Sequence, residues 1–166
     1  MRNLLALSGI VLAVILQSSV ISNIRLLSGH ADLPIVMLAA WALQEEVDNA
    51  WHWAVALGML VGFVSRMPWF VPVISFLVVV FFAQILQKRI WRAPLLAMFS
   101  VTFLGTIIAD VLSMVSLRVA GVSLPVNEVL GLVVLPCILL NLLLAIPVYA
   151  VMRDLARWLY PAPEVE

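Results

Sequence analysis

Residues 129–152 read VLGLVVLPCILLNLLLAIPVYAVM, twenty-four positions in a row without one charged side chain. Wound as a helix at 1.5 Å per residue, this run covers about 36 Å, more than the roughly 30 Å hydrocarbon core of a bilayer. A helix on the surface of a soluble domain keeps one wet face; this one has apolar side chains all round. The rest of the chain follows the same pattern. Of 166 residues, 65% are hydrophobic and 11% charged, about half the charge that a soluble domain of this size needs for its surface. The charges gather in short clusters that leave long uncharged runs between them. These features predict an all-α polytopic membrane protein, a single integral membrane domain over residues 1–166.

The clusters divide the chain into six apolar segments: 3–24, 33–44, 49–65, 67–87, 93–117 and 129–152. The second is short, about 18 Å as a helix. Asp32, followed by Leu33 and Pro34, suits a helix start, because the carboxylate can cap and proline fits the first turn. Segment 33–44 is therefore read as a short transmembrane helix whose ends snorkel or are shielded by neighbours; a re-entrant helix is the alternative. Six crossings are expected. Arg2 ahead of Leu4 to Leu16 resembles a secretory signal, but Gln17-Ser18-Ser19 makes a poor cleavage site, so a retained first span is expected.

Orientation follows from the basic residues in the loops. Six spans with the amino terminus inside put Arg2, Lys88, Arg89, Arg92, Arg153 and Arg157 on the inner side, and Arg25, Arg66 and Arg118 on the outer. The bias predicts both termini in the cytoplasm. Trp41, Trp51, Trp53, Trp91 and Trp158 then fall at the inner interface and Trp69 at the outer, where indole rings sit well.

Little in the chain suggests catalysis. It holds no Ser/His/Asp set, HExxH motif, paired carboxylates or Gly-rich phosphate loop. His30 and His52 fall on opposite sides of the membrane and read as solvated interfacial residues. The one cysteine, Cys137, lies in an apolar run, which excludes a disulfide framework or a thiol metal site. Zero net charge gives no reason to expect a nucleic-acid partner. No enzyme activity and no cofactor are expected.

Intramembrane polar residues are the candidates for a site, since they are costly unless they find partners. Asp110 lies past the middle of segment 93–117, on the flank of a small and polar stripe of Thr102, Thr106, Ala109, Ser113 and Ser116. Gln17 has a similar depth, and Asn141 sits near the middle of segment 129–152. Gln17, Asp110 and Asn141 are read as a structural cluster of interhelical hydrogen bonds; a relay or substrate carboxylate at Asp110 is the alternative. Ala54, Gly58 and Gly62 recur every four residues and mark a helix-packing face, as do Gly9 with Ala13 and Gly105 with Ala109.

In several places the chain resembles the bacterial rod shape-determining protein MreD family, over nearly its whole length. The first span ends Ile15-Leu16-Gln17-Ser18-Ser19, like the family's leucine-glutamine ending. Asp32-Leu33-Pro34-Ile35-Val36 is similar to its aspartate-leucine start of a short second span, and Ile108-Ala109-Asp110-Val111 falls where it often has an acid. The most specific stretch runs Leu135-Pro136-Cys137-Ile138-Leu139-Leu140-Asn141, then Pro147-Val148-Tyr149 and Arg153. The chain departs at Val64-Ser65-Arg66-Met67-Pro68, where the family has an aspartate-leucine and a serine-glycine turn. The resemblance implies a non-enzymatic membrane scaffold of the cell-elongation machinery. Implied partners are the single-span protein MreC, the peptidoglycan synthase complex and the cytoplasmic actin-like filament. It also implies a fold similar to the six-helix substrate-binding subunits of energy-coupling-factor transporters, so a vitamin or metal transporter subunit is the alternative function. Against that alternative, the outer half shows few polar residues for a pocket beyond Gln17, Asp110 and Ser113.

Overall fold

A computed structural model describes residues 25–45, 47, 49–65, 67–89, 93–122 and 125–160, together with Ile15, Gln17 and Ser19. Most of segment 3–24, with Gly9 and Ala13, lies outside the described residues, as do Arg2, Arg66, Trp91 and Arg92. The described chain is mostly helical. A short antiparallel hairpin comes first, β1 (Arg25–Leu26) and β2 (Gly29–His30), with Arg25 opposite His30 and Leu26 opposite Gly29. Five helices follow: α1 (Leu33–Ala42), α2 (Ala50–Val64), α3 (Phe70–Arg89), α4 (Pro94–Val119) and α5 (Val126–Leu159). Residues Leu130–Val134 of α5 are wound as a π-helix.

The last three helices are long and apolar enough to cross a membrane, and α1 and α2 are shorter apolar helices. Each of the three runs past the charges that bounded its segment: α3 takes in Lys88 and Arg89, α4 Arg118, and α5 Glu128, Arg153, Asp154 and Arg157. A charge stops burial in hydrocarbon but not backbone hydrogen bonding, so helices extend beyond the apolar run. α4 stops where its chemistry changes. Gly121 turns the chain at φ 87°, Gly121 N–H donates to the Arg118 carbonyl and Val122 N–H to the Leu117 carbonyl, the paired bonds of a Schellman ending.

Helix α1 is the centre of the bundle. Nine of its ten residues are buried, and it touches α2, α3, α4 and α5. Asp32 caps it, accepting a hydrogen bond from Ile35 N–H at 3.2 Å. Its shortness follows from this position, because a shielded helix need not match the bilayer thickness. The longer helices surround it and turn apolar side chains outward: Phe63 is 82% exposed, Leu143 71% and Val119 84%. Apolar exposure on that scale suits hydrocarbon rather than water. The architecture is compatible with an all-α membrane protein.

Small residues decide the closest approaches. A Cβ on Gly58 would stand 2.7 Å from the Val73 Cα, and one on Gly62 2.8 Å from the Trp69 Cα. Ala54 is fully buried on the same face. The Ala54, Gly58 and Gly62 stripe thus seats α2 on α3 and on the turn that leads into it. At the opposite end, Trp41 is buried within the bundle and meets Tyr160 with ring centroids 6.4 Å apart. Trp51 Nε1 donates to Gln84 Oε1 at 2.9 Å.

Candidate functional site

A cluster of interior polar groups lies where the hairpin enters the bundle; Gln44, also buried, is at the other end of α1. Pro136 has no N–H, so the Leu132 carbonyl one turn earlier lacks its helical donor. Ser28 N–H supplies it, at 3.0 Å. Gly29 lies flat on this break: a Cβ there would be 2.7 Å from both the Pro136 Cβ and the Val133 carbonyl oxygen. Next along the chain, His30 N–H donates to Cys137 Sγ at 3.4 Å, and Asp32 N–H to Asn141 Oδ1 at 2.7 Å. Gln17 holds the other side, donating from Nε2 to the Ala31 carbonyl at 2.7 Å and accepting from Leu33 N–H at 2.9 Å. Irregular backbone packed against an apolar bundle needs such partners, because a buried N–H or C=O is costly unless it is paired.

Asn141 is the hub. It is fully buried, and its Nδ2 donates to Thr106 Oγ1 at 2.9 Å, whose hydroxyl donates to the Thr102 carbonyl at 2.8 Å. The amide therefore ties together α4, α5 and the start of α1. Gln17 and Asn141 grip the same segment, residues 31–33, without bonding each other. Asp110 stands apart from this network. Its buried Oδ2 has no hydrogen-bond partner among the described residues.

Two adjoining cavities explain what Asp110 faces. A small one, about 20 Å³, is bordered by His30, Asp32, Thr106, Asp110, Cys137 and Asn141, room for about one water. Beside it opens a larger one of about 390 Å³ between the hairpin, the start of α3, the end of α4 and the start of α5. Its polar lining is His30, Asp32, Ser65, Ser75, Asp110 and Ser113. The inventory of Gln17, Asp110 and Ser113 drawn from the sequence missed most of these. Asp32 is the main omission: it reads as a helix cap, which it is, but a cap on a helix that begins inside the bundle is also an interior carboxylate. His30, though exposed, lines the same cavity. His52 is exposed on α2, away from it.

No protein-family model, curated protein or solved structure matches this chain.

Two carboxylates face a shared cavity with hydroxyls nearby, and among the described residues no three His, Cys, Asp or Glu side chains converge to hold a metal ion.

Proposed function

We propose that the chain is a non-enzymatic membrane scaffold of the bacterial cell-elongation machinery. It crosses the inner membrane six times, keeps both termini in the cytoplasm, and binds the MreC-like single-span protein through transmembrane helix faces. The observation that carries this reading is how little chain lies between the helices. From α1 to α5 the connections are 43–49, 65–69, 90–93 and 120–125, none above seven residues. With so little mass between helices, recognition falls to the outward faces, where packing and a few polar contacts hold helices together. The MreD-family resemblance supplies the partner and, through it, the link to the peptidoglycan synthase complex and the actin-like filament.

The test is co-expression with the MreC-like protein and purification in mild detergent. A stable complex that survives size exclusion is the expected result. Loss of the partner under every detergent that keeps the chain folded would overturn the scaffold. The cavity of about 390 Å³ favours a second reading, the substrate-binding subunit of an energy-coupling-factor transporter, because it lies within the usual 300–1,000 Å³ of small-molecule sites. Stabilisation by one member of a panel of vitamins, with no partner retained, would promote that reading.

A further inference from the structure

We propose that the cavity beneath the hairpin is a binding site for a small organic cation, a protonated amine on an apolar body. The inference stands apart from the scaffold reading, which is tested by partner retention and not by ligand.

The lining divides by chemistry. Its walls are apolar, among them Val61, Met67, Val71, Phe76, Met114 and Leu117, while Asp32 and Asp110 line both this cavity and the small one beside it. Among the described residues, no lysine or arginine lines it. Two carboxylates sharing one low-dielectric space repel each other, and each has lost most of its hydration. The protein offsets one of them: Asp32 accepts the Ile35 N–H and sits at the positive end of α1. Asp110 has no such compensation.

Two buried polar atoms without partners belong to this same lining, Asp110 Oδ2 and Ser65 Oγ. Native structures leave few such atoms bare, and a bound water or ion is one of the recognised reasons; Asn49 Oδ1, Trp53 Nε1 and Thr102 Oγ1 are the others among the described residues, outside this lining. Asp110 Oδ2 and Ser65 Oγ come from different elements, α4 and the α2–α3 connection, so one local distortion does not explain both. A guest that reaches Asp110 supplies the missing donor, and its positive charge offsets both carboxylates.

An amine suits this lining better than a metal ion does. Hard divalent cations take about six or more oxygen ligands, and the described residues show no such convergence. An ammonium group needs at most three acceptors, which two carboxylates and neighbouring hydroxyls provide. The Phe76 ring and the Met67 and Met114 thioethers give an apolar or aromatic body a surface to pack on.

The experiment is thermal unfolding of the purified full chain in detergent, with phenethylammonium as probe and 2-phenylethanol as its uncharged counterpart. A saturable rise in melting temperature of several degrees with the amine, and none with the alcohol, is expected. Asp110→Asn keeps the shape, removes the charge, and should abolish the shift. Met114→Trp fills the cavity while leaving both carboxylates in place and should abolish it too, which keeps the test decisive if the Asp110 variant folds poorly. An equal shift with the alcohol, a shift that persists in both variants, or the same shift from sodium or magnesium chloride alone would each overturn the assignment.

Discussion

Asn141 and Asp110 both project into the interior from apolar helices, yet the fold uses them in opposite ways. Asn141 fills its acceptor with Asp32 N–H and gives its amide to Thr106, whereas Asp110 Oδ2 bonds nothing. Replacing Asn141 by leucine strands a buried backbone N–H, and a group left in that state costs about 1–3 kcal/mol. Asn141→Leu should therefore lower the unfolding free energy in a detergent titration by about that much. Asp110→Leu removes a carboxylate that the protein does not satisfy, and should leave stability unchanged or raised. A loss at Asp110 as large as that at Asn141 would show that its carboxylate is bonded after all. The sequence picks out Gln17, Asp110 and Asn141 because polar side chains are rare in apolar runs. It does not show which of them are partnered, since the donor to Asn141 lies 109 positions away at Asp32.

At the level of elements, glycines report where backbones meet. Gly58→Ala drives a Cβ to within 2.7 Å of the Val73 backbone, and overpacking of this kind costs about 1–3 kcal/mol. The neighbouring Met59 points outward, 43% exposed, so Met59→Ala should be nearly neutral in the same unfolding titration. Equal losses would mean that α2 does not rest on α3 along the glycine stripe. A second pair tests the docking of the hairpin. Gly29→Ala collides with Pro136 and the Val133 carbonyl, while a Cβ on Gly131, in the adjacent π-helical turn, meets nothing within 4 Å. Gly29→Ala should cut the yield of folded protein. Gly131→Ala should keep it, with a gain of up to about 0.5–1 kcal/mol from the stiffer helix. The stripe at Ala54, Gly58 and Gly62 is legible from spacing alone. The role of Gly29 is not, because nothing in its local sequence reveals that the break at Pro136 lies against it.

For the whole molecule, the bias of basic residues predicts that the chain ends in the cytoplasm. A reporter active only in the periplasm, fused after Glu166, should stay silent; activity there would mean an odd number of crossings and would place 33–44 as re-entrant. The sequence by itself marked the apolar helices but not the hairpin or the π-helical turn: long uncharged runs with apolar side chains all round favour helix, because within one segment only a helix satisfies its own polar groups in hydrocarbon. It also marked the short second helix and the few residues too polar to sit there unpartnered. Only the tertiary structure decided that this short helix is the centre, that its capping Asp32 shares a cavity with Asp110, and that Gln17 and Asn141 serve the backbone of residues 31–33. The reason is physical. A bilayer acts on each segment separately, so its demands are written locally in composition, whereas a cavity and a hydrogen-bond network exist only when distant segments have chosen which faces to share.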